Sequence, residues 1–214
     1  MQKANRAVLF VDGSNWYHGC RLIGLRRIGI MNFAKVSAKL VAPREWVATR
    51  YYVGEVPSSG NLELAKKQRE FLNRQRSLDR RFSVHLGRIE PRPVKSDAAL
   101  ALKRLLANLP VRIDAEIYSK LSEIASTYAE TTIMVEKAVD VQLALDMVVM
   151  AERDDYDTAY LLSADGDLTP AVEFVRGTGR KVFAASASGG ARLAAACDTF
   201  IRLKLAWFDD VMGS

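Results

Sequence analysis

The sequence predicts an α/β protein, a three-layer sandwich with a central mostly parallel sheet and helices on both faces. Three observations predict it. Short apolar runs alternate with longer amphipathic segments from one end of the 214-residue chain to the other. Several of the runs are apolar without alternation, as strands buried on both faces must be. Acidic turns stand where those runs stop, for example Val8-Leu9-Phe10-Val11 before Asp12-Gly13-Ser14-Asn15.

Taken in order, strands are expected at residues 7–11, 46–53, 82–87, 131–135, 158–163, 181–185 and 199–203. Helices are expected at 14–23, 32–41, 61–78, 97–108, 114–128, 139–152, 170–178 and 190–196. Pro170 after Thr169 fits a helix start, with Thr169 as the cap and proline in the first turn. Gly177 and Gly179 fit the end of the same helix. Glu90-Pro91-Arg92-Pro93 breaks the pattern. From about 90 to 129 the chain reads as a helical insertion, two helices split at Pro110, within a single domain spanning 1–214. An appended hairpin covering one edge is the plain reading of that segment, and a lid or RNA-contacting arm the functional one.

Composition narrows the chemistry. Apolar residues make up 49% and charged residues 26%, an ordinary globular balance. The apolar run after the basic start is cut short by Asp12, too early for a signal-peptide core, and no stretch is long enough to span a membrane. The expectation is a soluble, cytoplasmic protein. Cys20 and Cys197 are too few and too far apart for a disulfide framework or a zinc site. With two histidines in the chain, His18 and His85, carboxylates remain as the chemical groups. The net charge is nevertheless +6, so positive charge must lie away from the acids. A basic surface around an acidic centre suits a polyanion such as nucleic acid.

In an open α/β sheet, ligands bind beyond the carboxyl ends of the parallel strands. Asp12, Asp165 and Asp167 follow predicted strands, and Asp140 and Asp146 lie on the helix predicted at 139–152. Carboxylates meeting at one edge repel unless a cation neutralises them or some take up protons. Ser163-Ala164-Asp165-Gly166-Asp167-Leu168-Thr169-Pro170 is the most specific stretch, since two acids around a glycine can both reach one ion. On the 139–152 helix, apolar on most sides and expected to be buried, Asp140 stands in the first turn. Asp146 lies about 120° round from it and so does not join the cluster automatically. It reads as a supporting group or a solvent-facing one. Asp165-Gly166-Asp167-Leu168-Thr169 also matches D-x-D-x-T, the nucleophile motif of haloacid-dehalogenase-like phosphatases. That motif belongs on a first strand with a long stretch after it, and here 45 residues follow Thr169.

Three segments together carry a resemblance: V-L-F-V-D-G-S-N near the start, E-K-A-V-D-V-Q-L-A-L-D-M in the middle, and Y-D-T-A-Y-L-L-S-A-D-G-D-L-T-P-A-V-E-F-V-R-G-T-G-R-K-V later. In order and spacing over most of residues 6–187 they resemble the NYN domain, in the LabA-like branch of the PIN-like nuclease superfamily. The resemblance implies a PIN-like Rossmannoid sheet and Mg²⁺- or Mn²⁺-dependent cleavage of RNA, single-stranded RNA being favoured. It implies Asp12, Asp140, Asp165 and Asp167 as catalytic, metal-binding acids. Asn15 and Lys137 are then expected to contact substrate, with Asp146 and Ser163 as supporting residues; Lys137 or, in its place, Arg192 is expected to hold a phosphate. Trp16 and Tyr17 read as core aromatics or as a platform for a base. The alternative is a catalytically silent RNA-binding or regulatory module of the same fold, and DNA cleavage would use the same site. No membrane partner is expected, and a homo-oligomer is compatible with the sequence. The segment 90–129 is longer than the usual connection, so access to the site is expected to differ.

Overall fold

The computed structural model describes residues 4–58, 61–109 and 113–213. The chain divides into two compact units, one of residues 1–88 and 136–214, the other Ile89–Val135.

The seven strands are β1 (Arg6–Asp12), β2 (Glu45–Glu55), β3 (Phe82–Lys95), β4 (Glu130–Lys137), β5 (Thr158–Leu162), β6 (Lys181–Ser186) and β7 (Thr199–Arg202), in the sheet order β4-β3-β2-β1-β5-β6-β7. β1 pairs parallel with β2 on one side and with β5 on the other. β3 continues parallel beyond β2, as do β6 and β7 beyond β5. The order of strands therefore reverses at β1. Its carboxyl end and that of β5 flank the crevice where such sheets take ligands.

The period of two along each strand sends its side chains to opposite faces. From β1, Ala7, Leu9 and Val11 enter one core, and Val8 and Phe10 the other. Tyr51 and Tyr52 of β2 part in the same way, as do Leu162 and Leu161 of β5. The first core is closed by α1 (Gly13–Leu22), α2 (Phe33–Val41) and α3 (Leu62–Leu78), which supply Trp16, Phe33, Val36, Leu40 and Leu72. A C-terminal 3-10 turn adds Phe208.

The second core is closed by α6 (Val139–Glu152), α7 (Thr169–Gly177) and α8 (Ala191–Ala196). α6 buries Val139, Leu143, Met147 and Ala151, a repeat of four residues along one side. It is not buried all round as expected, because Val141 is 72% and Leu145 58% exposed. Nor does the Thr169 side chain cap α7: Leu168 is the N-cap, and the buried Thr169 hydroxyl is without a hydrogen-bond partner among the described residues.

The second unit contains α4 (Asp97–Ala107) and α5 (Ala115–Ala129), which pack on each other. Both helices fall where expected, and Pro110, the expected split, lies outside the described residues. The unit is not purely helical. β3 runs on through Pro91 and Pro93 to Lys95, where the sequence reads as a break. Alternate strand residues turn their N–H groups the same way, so both prolines subtract donors from one side only. The β2–β3 register ends at Glu55 and Arg88, before either proline. No helix among the described residues is long and apolar enough to cross a membrane.

Candidate metal centre

Asp12 is the last residue of β1, and Gly13 begins α1 immediately. A Cβ on Gly13 would lie 2.7 Å from the Tyr51 ring and 2.8 Å from the Tyr52 carbonyl oxygen. Glycine is required there for close packing rather than for an unusual backbone turn. The Asp12 carboxylate caps α1 by accepting the Asn15 N–H at 3.0 Å, and its other oxygen accepts the Ser163 hydroxyl at 2.9 Å. Ser163 Oγ also accepts the Asp165 N–H at 3.0 Å, and Asn15 Oδ1 accepts the Ala164 N–H at 2.9 Å. Ser163 and Asn15 thus tie the end of β1 to the loop after β5, holding two acids 153 residues apart in one frame.

That loop is itself tightly wound. Asp165 Oδ1 accepts the Asp167 N–H at 2.9 Å. A Cβ on Gly166 would come within 3.0 Å of Arg192 Cδ, so the Arg192 stem lies over the turn between the two acids. Asp140 arrives from the first turn of α6. The approach to it is fixed by Ala138 in the left-handed region (φ 68°) and by Gly87, where a Cβ would lie 2.7 Å from the Lys137 carbonyl oxygen.

Together these elements bring one carboxylate oxygen from each of Asp12, Asp140 and Asp165 within 4.8 Å of one another. Asp12 is buried, Asp165 half-buried and Asp140 exposed. Burial pushes the Asp12 carboxyl up to about 6, further raised by Asp140 and Glu136 and opposed by the Asn15 and Ser163 hydrogen bonds. Asp140 is also raised, by burial first and then by Asp165, Glu136 and Asp167.

Glu136, at the end of β4, carries no assignment from sequence. Its carboxylate accepts hydrogen bonds from the Ser14 hydroxyl and the Gly54 N–H, and its charge acts on both Asp12 and Asp140. The only signal was its place four residues before Asp140 in the E-K-A-V-D segment.

The other sequence-derived residues fall as follows. Asp167 is exposed and outside the mutually close set, although its charge reaches Asp140. Lys137 is exposed beside Glu136. Asp146 belongs to a different cluster: its Oδ2 accepts from Arg50 and from the Tyr52 hydroxyl, each at 2.7 Å, with His85 at 3.9 Å and stacked on Tyr52. Trp16 is core, packed against Phe33 and Phe208, whereas Tyr17 is 46% exposed.

The donor set fits a hard divalent cation. It contains neither His nor Cys, which softer metals favour. With Mg²⁺–O bonds of about 2.0–2.1 Å, opposite ligands in an octahedron stand roughly 4.2 Å apart. A spread of 4.8 Å closes onto such an ion with movements under about an ångström, available to the exposed Asp140 more readily than to the pinned Asp12. Like charges this close without an ion raise one another's proton affinity, the state that Asp12 and Asp140 show.

A carboxylate triad at the reversal point of a mostly parallel α/β sheet is a set of oxygen ligands that suits a divalent cation, at the place where such sheets take ligands. The chain matches the NYN domain family over residues 6–204, and it belongs to that family, whose fold is PIN-like and which lies within the PIN-like nuclease superfamily. NYN and PIN-like nucleases generally use divalent metals. In structure the chain is similar to a protein of unknown function from Vibrio parahaemolyticus, with a TM-score of 0.59 at 19% identity, over 99% of this chain and 98% of that one. That likeness supports the fold alone. No curated protein matches the chain.

Proposed function

We propose that the protein is a metal-dependent ribonuclease of the LabA-like branch that hydrolyses phosphodiester bonds of single-stranded RNA, and that the 89–135 unit is an insertion in its NYN domain. The observation that carries the reading is the Asp12–Asp140–Asp165 set at the reversal point of the sheet. In this reading Asp12, Asp140 and Asp165 hold Mg²⁺ or Mn²⁺, with Asp167 taking part through water. The cation, when bound, lowers the pKa of water and offsets charge on the phosphate.

The remaining work falls to the chain. Asp12, fixed by Asn15 and Ser163, gives the site a rigid side, and Asp140 and Asp165 adjust to it. Asp167 takes the proton released as the water oxygen bonds to phosphorus. The bond from phosphorus to the departing nucleotide oxygen breaks, and that oxygen gains a proton from solvent. Lys137 and Arg192 bring positive charge to the substrate phosphates, and Asn15 supports the strand from the α1 side. Tyr17, exposed one turn after Asp12, offers a ring on which an unpaired base can stack.

The test is cleavage of a fluorescent single-stranded RNA with Mn²⁺ or Mg²⁺, with single-stranded DNA in parallel. The account expects metal-dependent cutting of RNA that Asp12→Asn and Asp165→Asn each reduce at least about 100-fold, the size of effect expected when a central electrostatic contributor is removed. Binding of RNA by the wild type without cutting would instead identify a silent binding module. Cutting that survives both substitutions would place the chemistry elsewhere.

A further inference from the structure

The carboxyl ends of the strands are not level. Asp12 ends β1 opposite Tyr52, and Tyr52 lies opposite His85. β2 and β3 run on past these two residues, still paired, to Glu55 and Arg88. On the other side of Asp12, β5 stops at Leu162, β6 at Ser186 and β7 at Arg202. The metal centre therefore has a wall on its β2 side and a low shelf on its β5 side.

Register orders the shelf. Val11 pairs with Leu162, Leu161 with Ala184, and Ser186 with Arg202. Carried to the strand ends, these registers set Asp12, Ser163, Ser186 and Arg202 in one row across four strands. The row before it, Val11, Leu162, Ala185 and Ile201, packs into the first core. Alternation turns the Asp12 row to the opposite face, the side of α6 and α8. At about 4.8 Å between strands, Arg202 stands roughly 14 Å along the row from Asp12.

Two arginines occupy this shelf. Arg192 comes from α8, and its stem crosses the turn between Asp165 and Asp167, with Cδ 3.0 Å from where a Gly166 Cβ would be. Arg202 lays its guanidinium against Gly189, Nη1 standing 3.2 Å from the place of a Cβ. Gly190, next in the chain, presses this loop onto the one after β5, where a Cβ would meet the Ala164 carbonyl oxygen at 2.7 Å. Both arginines are exposed, and neither guanidinium has a hydrogen-bond or ion-pair partner among the described residues. Arg176 and Arg180, by contrast, are committed to Asp198 and Asp154. Two uncommitted guanidiniums in line with a metal centre suit successive phosphates of one strand, which they would grip without reading its bases.

We propose that Arg192 and Arg202 form a phosphate track, along which single-stranded RNA leaves the metal centre over the carboxyl ends of β5, β6 and β7. The track takes the backbone phosphates on one side of the cut, and its ligand rests on the ribonuclease reading. The test is therefore kept apart from catalysis. Fluorescence anisotropy of a labelled single-stranded RNA with the full chain, in EDTA, gives affinity between about 50 and 200 mM salt. Far-UV circular dichroism serves as the folding control.

For a single strand, log K falls with log[salt] by about 0.7 for each phosphate neutralised. Arg192→Gln with Arg202→Gln is expected to make that slope shallower by about 1.4 and to weaken binding alike across sequences. Arg192→Lys with Arg202→Lys keeps both charges and is expected to retain the wild-type slope. Arg80→Gln, exposed just before the amino end of β3, is expected to retain it as well. An unchanged slope in the glutamine variant, with metal-dependent cutting intact, overturns the track and leaves the ribonuclease reading standing. An equal loss in the lysine variant makes the arginines structural and also overturns it. A wild type that neither binds nor cuts RNA defeats the ribonuclease reading itself, and the track with it.

Discussion

Asp12 is the acid most constrained by its surroundings, with both oxygens engaged and almost no contact with solvent. Keeping a carboxylate ionised there costs free energy, and Asp140 and Glu136 add to the cost. Asp12→Asn removes that charge while preserving shape and one acceptor. We expect the variant, with EDTA present, to be more stable than wild type by roughly 1–2 kcal/mol in a thermal melt, and to lose the stabilisation that Mn²⁺ gives wild type. Lower stability in EDTA would mean that the site is structural rather than strained. Asp146 has the opposite character. Burial opposes its ionisation, but the Arg50 and Tyr52 hydrogen bonds prevail and hold its carboxyl below the usual value of 3.8. Its contribution is then complete above the unfolded value and is lost as pH falls below about 3.8 toward the lower folded value. Asp146→Asn is expected to cost about 1–2 kcal/mol at pH 7, less than a fully buried pair, since both side chains are about a quarter exposed. The cost should shrink below pH 4, as measured by denaturant unfolding at several pH values. A cost independent of pH would contradict the ion-pair account.

Elements place these residues through close approaches that leave no room for substitution. Gly13 lets α1 begin directly on β1, beneath Tyr51 and Tyr52. Gly13→Ala forces that contact apart and is expected to cost about 2 kcal/mol or more and to weaken Mn²⁺ binding, measured by unfolding and by calorimetric titration. A silent substitution would show that the helix start can shift freely. The strands and helices were largely legible because their periods are strong: a buried parallel sheet writes itself as unbroken apolar runs, and Asp12 and Asp165 could be placed at strand ends from those runs alone. β3 was cut short because Pro91 and Pro93 are read locally as breakers, whereas their tolerance depends on which side of a strand has a neighbour. Glu136 escaped notice because its one sequence signal, a place four residues before Asp140, does not by itself mark a functional acid. Its role comes from Ser14 and Gly54, which only the fold brings to it. The separation of Asp146 from the triad was visible as helical geometry, but its partners Arg50 and Tyr52, 96 and 94 residues away, were not.

Across the whole molecule, charge is segregated by unit. Residues 89–135 are neutral, so the excess of +6 lies entirely in residues 1–88 and 136–214, which carry the clustered acids. The chain thus combines a small negative centre with a positive remainder, an arrangement suited to a polyanion whose scissile phosphate must meet a cation. Membership of the NYN family gives that centre its nuclease setting, and the geometry supplies three acids from β1, α6 and the loop after β5. The most direct measurement is anomalous diffraction from crystals soaked in Mn²⁺. The account predicts a peak about 2.0–2.4 Å from carboxylate oxygens of Asp12, Asp140 and Asp165, lost in Asp12→Asn crystals treated alike. A soaked crystal with no peak at these three residues, or with its peak held by other side chains, would contradict it.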